Sequence, residues 1–446
     1  MNKTARQPAG IVFAPRPSND FAEFIATYFE RCRERVPEIE ANAGKWTLED
    51  LIPGLSDFDT RFLVNDRMTA ADWCRMSTEV GKVHLELARE RKDWARNLEH
   101  LPGVNLKLGE FLDPTTYFTE FSQWTFYHGD EGRLKQARQF VADHAWTPSD
   151  ACYHWKKIAI FYGPYNRTID PPINLGRFEN KYSLHSRLMH YMAPPVHSAV
   201  CLMEKDTFPG KLDAFRKAQQ LFPHPETIEK ILGLVDRHYE EPRYLREPGI
   251  TELDRELETY LTDAITALLG RDPPFVCPPR PTVTQLREAV RSLKESNPLV
   301  QLFENIKFSR LMKGRLWFYG QEVLWFNSPP MIRIELNRIR ANFLEIPLRI
   351  YARVVYGREA GMEESLALMQ GNVLDAEEIA VCRRFARLAD PFCEDRDLKK
   401  RALEIAGMFD PFLCAIEKIM ARAGRFKGHN PHLPHAHVSP APRAHD

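Results

Sequence analysis

The stretch Leu51–Asp66, LIPGLSDFDTRFLVND, sets two aspartates one residue apart, Asp57 and Asp59, at the mouth of an apolar run. Phe58, Phe62 and Val64 share one side of a two-residue period, while Asp57, Asp59 and Arg61 share the other. Alternation of this kind reads as a half-buried strand with a charged outer face. Two carboxylates at i and i+2 of a strand project from the same face with Cβ atoms ~6–7 Å apart. Left alone they repel. A divalent cation that takes an oxygen from each converts repulsion into binding, and Mg²⁺ does so while keeping room for phosphate oxygens.

The flanks extend this reading outward. Asp20 and Glu23 open a helix carrying Phe21, Phe24, Ile25, Tyr28, Phe29, Cys32 and Val36, and Thr69 with Asp72 opens a second. Pro102-Gly103 signals a turn before the alternating Val104, Leu106 and Leu108. The first ~115 residues therefore read helix, strand, helix, strand. The segment VPEIEANAGK (Val36–Lys45) makes a poor strand by composition, being short of β-branched and aromatic residues. Beyond it helical spacing dominates, at Glu131–Phe140, Lys211–Leu221, Leu253–Leu269, Leu286–Leu293, Ile334–Tyr356, Ala376–Leu388 and Leu398–Ala423.

Composition bounds the rest. The chain has 446 residues, with 61 Lys plus Arg against 61 Asp plus Glu, so no basic surplus suits it to coating nucleic acid. No stretch approaches the ~20 apolar residues of a membrane span, and the start lacks a secretory h-region. The eight cysteines are scattered, with no C-x-x-C. A cytoplasmic protein with reduced thiols, no membrane partner and no nucleic-acid partner is expected. Five prolines in Arg271–Thr282 mark the best linker. Beyond about residue 425, the His- and Pro-rich stretch reads as a disordered tail.

The stretch GLSDFDTRFLVND resembles the metal-binding strand of the nucleotidyltransferase superfamily that includes DNA polymerase beta and the aminoglycoside nucleotidyltransferases. In that family a Gly-Ser at a helix start precedes Asp-x-Asp on a strand, and a third carboxylate stands on a neighbouring strand. The nearest counterpart of Gly-Ser here is Gly44-Lys45. The resemblance implies an α+β fold, with a small mixed-sheet domain at 20–125, followed by mainly α-helical regions at 126–270 and 283–425. It implies two Mg²⁺ ions on Asp57, Asp59 and a third carboxylate, with Glu110 the first choice and Asp113 the reserve. An NTP would supply a nucleoside monophosphate to a small-molecule acceptor.

Nucleotide contacts are sought in Gly54 and Ser56 of the turn before the aspartates, and in Arg61, which has two readings: a contact to an anionic substrate, or a salt bridge to Asp57 or Asp59. Tyr153–Val200 concentrates polar and aromatic residues around a Gly/Pro-rich loop, among them Tyr165, Asn166 and Arg167, with Lys156 and Lys157 before them. Such loops are common recognition sites. His185, His190 and His197 are spaced too irregularly for one helical face, and Pro194 and Pro195 interrupt them. The aromatic-rich Arg315–Pro330 reads as core or interface. Two other functions fit the same strand: a glycosyltransferase whose Asp-x-Asp holds a sugar nucleotide, and a degenerate nucleotidyltransferase scaffold that only binds.

Overall fold

The computed structural model describes residues 20–426 apart from 53–55, 57, 95–96, 99–100, 162–183, 241–249, 272, 294–297, 322–335, 337–338 and 390–396. It is an α+β protein in which a four-stranded mixed sheet near the N-terminus is followed by helices. Helix α1 (Phe21–Arg35) starts where Asp20 accepts a hydrogen bond from the Glu23 amide at 2.8 Å. It buries Phe24, Ile25, Tyr28 and Cys32. Strands β1 (Ile39–Lys45), β2 (Thr60–Val64), β3 (Leu106–Lys107) and β4 (Trp124–Gly129) form a sheet of order β3-β2-β1-β4. β1 is antiparallel to both β2 and β4, and β2 is parallel to β3. A parallel pair needs a crossover, and α2 (Ala70–Glu90), opened by a Thr69–Asp72 capping box, supplies it.

Strand β2 corrects the expected half-buried pattern, because all five of its residues are buried. Phe62 and Val64 join the core beneath α1 and α2, while Leu63 joins a second core on the opposite face with Phe111, Phe121 and Trp124. β1 is a strand after all, and it sits centrally. Its small residues allow close approach: a Cβ on Gly44 would run into the Phe58 ring. Asn42, fully buried, offers its side-chain oxygen to the His128 amide at 2.9 Å.

The remaining helices divide into two groups. One comprises α5 (Pro148–Phe161), α6 (Leu184–Glu204), α7 (Lys211–Leu221), α8 (Pro225–Glu240), α9 (Ile250–Leu269) and α10 (Val283–Arg291). It has its own core, built on Trp155, Phe215, Tyr260, Ile265 and Leu286. The other comprises α11 (Pro298–Ser309), α12 (Met312–Gly320), α13 (Ile346–Tyr356), α14 (Met362–Met369), α15 (Ala376–Leu388) and α16 (Leu398–Ala423). Its core is continuous with that of α1, α2 and the sheet.

Two expectations change with this division. The cores do not part at the proline-rich 271–282 segment, since α10 beyond it packs on α5 with Leu286 and Val290 in the same core. Helix α6 also runs through Pro194 and Pro195, held by the buried Ala193, Val196, Ala199 and Val200. Outside both groups, the single-turn α3 (Leu108–Phe111) and α4 (Glu131–Ala142) complete the sheet's second face.

Candidate functional site

A polar centre lies where the chain enters β2. Asp59 precedes the strand and is 42% exposed by its side chain, while Arg61, the second residue of β2, is buried. The Arg61 guanidinium reaches Glu120 Oε1 at 3.1 Å, the Thr60 carbonyl at 3.0 Å and Asp59 Oδ1 at 3.9 Å. Its Nε has no hydrogen-bond partner. Gly103 leaves room for it, because a Cβ there would stand 3.1 Å from the Arg61 Cζ. Of the two readings of Arg61, the structure has the salt bridge, with Glu120 as the main partner.

Glu120 comes from the short helical segment Thr119–Gln123 that leads into β4. It also accepts from Trp124 Nε1 at 3.3 Å and faces Lys45 Nζ at 3.9 Å. Burial alone would raise its carboxyl, but Lys45, Arg61 and Lys157 hold it down to about 2. Lys157, on α5, is half-buried beside Tyr153, its Nζ 5.5 Å from that ring's centre. Burial first, and then the charge of Lys45, push its ammonium down to about 8 in spite of Glu120, Glu304 and Asp59. Burial raises the Tyr153 hydroxyl well above the usual tyrosine range, helped by Glu120 and Glu304.

A cavity of about 210 Å³ opens onto this centre, lined among others by Glu120, Ser149, Tyr153, Lys156, Lys157 and Glu304. Pockets for whole ligands usually run from about 300 Å³ upward, so this volume takes one group of a ligand, such as a phosphate. A lysine whose ammonium burial destabilises at a cavity wall is relieved when an anion arrives, which makes Lys157 the most responsive group here.

The expected metal site fares differently. Asp57 and Gly54 lie outside the described residues, as do Tyr165, Asn166 and Arg167. Glu110 cannot share an ion with Asp59. It follows β3, whose Lys107 pairs with Val64 at the far end of β2, about 15 Å of strand away from Asp59. Both Glu110 oxygens are bound by Arg310, at 2.6 and 2.8 Å. The reserve, Asp113, caps the turn at Pro114–Thr116 by accepting from the Thr115 amide at 3.0 Å. Ser56 is spent locally as well: its Oγ accepts from the Ile52 amide at 2.9 Å. Glu120 is the carboxylate that Arg61 links to Asp59, and it is already engaged by cations and Trp124. The described donors therefore do not make a two-ion Mg²⁺ site.

Sequence reasoning missed Glu120 and Tyr153, and it singled out Lys45 only as the neighbour of Gly44 in place of Gly-Ser. The available signal for Glu120 was an acidic residue flanked by Phe118, Phe121 and Trp124, which marks a carboxylate that must be buried and paired. No protein-family model, no curated protein and no solved structure matches the chain. Among the described residues no helix is long and apolar enough to cross a membrane.

Proposed function

We propose that the chain binds a nucleoside triphosphate through its phosphates at Lys156 and Lys157 and transfers the nucleoside monophosphate to a small-molecule acceptor. The observation that carries this is a cavity sized for a phosphate group and walled by Lys156 and by Lys157, the latter's ammonium pushed down to about 8 by burial. An incoming phosphate would hold the proton on Lys157 and replace the solvation that burial removes. Lys45 and Arg61 act from behind: by neutralising Glu120 they keep its charge from repelling the same phosphate. Asp59, exposed at the edge of this centre, is the described residue left for the Asp-x-Asp role, with Asp57 as its sequence partner. In place of the two ions expected, a single Mg²⁺ held by that pair would supply Lewis-acid chemistry at the phosphate.

A second reading also has an observation behind it. Arg61 already spans Asp59 and Glu120, the arrangement a scaffold would keep if it bound phosphate without transferring it. Isothermal titration separates the possibilities, using ATP, GTP and a uridine diphosphate sugar, each with and without Mg²⁺. Nucleotidyl transfer expects Mg²⁺-dependent NTP binding that Asp59→Asn and Lys157→Gln both weaken. Metal-independent binding, lost in Lys157→Gln but kept in Asp59→Asn, supports the scaffold. Preference for the sugar nucleotide supports a glycosyltransferase, and absence of all binding overturns the phosphate site itself.

A further inference from the structure

Behind the polar centre, α5 and α6 enclose three groups that the proposed function leaves unused. His154 of α5 and His197 and Cys201 of α6 are all buried, with exposures of 0%, 2% and 0%. One ligand atom from each lies within 4.8 Å of the other two. His197 and Cys201 are four residues apart, which places them on one face of the helix, turned toward His154.

The hydrogen bonds around this triad prepare the rings for coordination. His197 Nε2 lies 2.6 Å from the Phe208 carbonyl. A carbonyl only accepts, so Nε2 carries the proton and Nδ1 keeps its lone pair, 3.8 Å from Cys201 Sγ. His154 Nδ1 lies 3.0 Å from Ser198 Oγ, and its Nε2 is buried without any partner. With Nδ1–H donating to Ser198, that orphan Nε2 also offers a lone pair. A metal-bound histidine characteristically donates its other ring N–H to a carbonyl or similar acceptor, which fixes its tautomer. Trp146 stacks on His154 at 5.6 Å, and Trp46 meets His197 edge-on at 4.9 Å. Both histidines are thus walled by aromatic rings.

We propose that His154, His197 and Cys201 form a binding site for one divalent transition metal of the zinc type, tying α5 to α6. Nitrogen and thiolate ligands suit Zn²⁺, whose tetrahedral geometry sets neighbouring N and S ligand atoms about 3.6 Å apart. The 3.8 Å between His197 and Cys201 is within a few tenths of that value. On binding, the Cys201 S–H bond breaks, the sulfur's electron pair forms the metal bond, and the proton passes to solvent. Three protein ligands leave one tetrahedral position unfilled by described residues. Oxygen-preferring Mg²⁺ does not suit this donor set, so the site is independent of the proposed nucleotide chemistry.

The test uses the full chain, stripped with a chelator and titrated with Co²⁺ and, separately, Zn²⁺. The expected result is one ion per chain, a sulfur-to-cobalt charge-transfer band in the near ultraviolet, and a higher melting temperature with Zn²⁺. Cys201→Ser should abolish the band, and Cys277→Ser should leave it intact. Ser198→Ala, which removes only the partner of His154, should weaken binding by about 10–100-fold. Failure of the wild type to take up either ion overturns the site, as does a band that survives in Cys201→Ser. If Cys201→Ser does not fold, an unaltered affinity in Ser198→Ala overturns it instead.

Discussion

Lys157 shows how one side chain joins stability to ligand binding. Its usual value of 10.5 falls to about 8, chiefly through burial and then through Lys45. Between those two values the unfolded chain holds a proton that the native chain lacks, so stability rises with pH across that window. Below about pH 8 the cost of the buried charge is present in full. Denaturant midpoints should therefore climb from pH 8 to 10.5 more steeply for the wild type than for Lys157→Gln. Equal slopes would show that Lys157 is not depressed. If a phosphate recharges the ammonium, nucleotide binding near pH 8.5 should take up a proton, and its heat should vary with the ionisation enthalpy of the buffer. The sequence displayed Lys156-Lys157 as an ordinary basic pair. The depression of one of them depends on burial and on Lys45, neither of which is encoded in the pair itself.

At the scale of elements, the joint between the sheet and the C-terminal helices turns on Arg310, which has no exposed side-chain surface. It binds Glu110 of α3 and, at 2.7 and 3.0 Å, Glu417 of α16, and it reaches the Asn105 carbonyl at 3.0 Å. Its guanidinium lies 4.3 Å from the centre of the Trp73 ring. Removing the arginine strands two carboxylates, a loss of about 3–5 kcal/mol for a buried pair. Arg310→Met should lower the urea midpoint accordingly, whereas Arg310→Met with Glu110→Leu and Glu417→Leu should recover most of it. A single mutant as stable as the wild type would show that the triad holds nothing together.

The same joint predicts acid sensitivity. Burial raises the Glu110 carboxyl, but Arg310 and Lys307 hold it down to about 2 against a usual 4.5. Its contribution is complete above pH 4.5 and is lost as pH falls toward 2. Glu110 was legible as a carboxylate of consequence. Its role was not, because the partner lies 200 residues away. Local pattern worked best where the periodicity is strong: Lys211–Leu221, Ala376–Leu388 and Leu398–Ala423 are helices with the bounds that spacing gives. It failed at β1, whose Ala41, Asn42, Ala43 and Gly44 are chosen for close packing between two strands rather than for intrinsic strand preference.

Across the whole molecule, the arrangement of cores decides which parts can fold alone. Helices α11–α16 share one core with α1, α2 and the sheet: Phe318, Leu316 and Phe412 belong to it together with Phe24, Trp73 and Val80. The contact between α2 and α12 is close enough that a Cβ on Gly314 would run into the Ser77 carbonyl, and the Gly314 amide donates to Ser77 Oγ at 2.8 Å. Helices α5–α10, by contrast, draw among the described residues on one residue from before α5 for their core, Ile52. Prolines made the 271–282 segment look like a boundary because composition reports where a helix cannot continue, not which surfaces meet in space. A chain ending at residue 293 should therefore leave the α1–α2 face of the sheet without its cover. Hydrogen exchange on that fragment should show protection lost in α1, α2 and β2 and retained in α7 and α9. Retained protection in β2 would mean that the sheet and its first two helices carry a sufficient core of their own, as a boundary at the prolines requires.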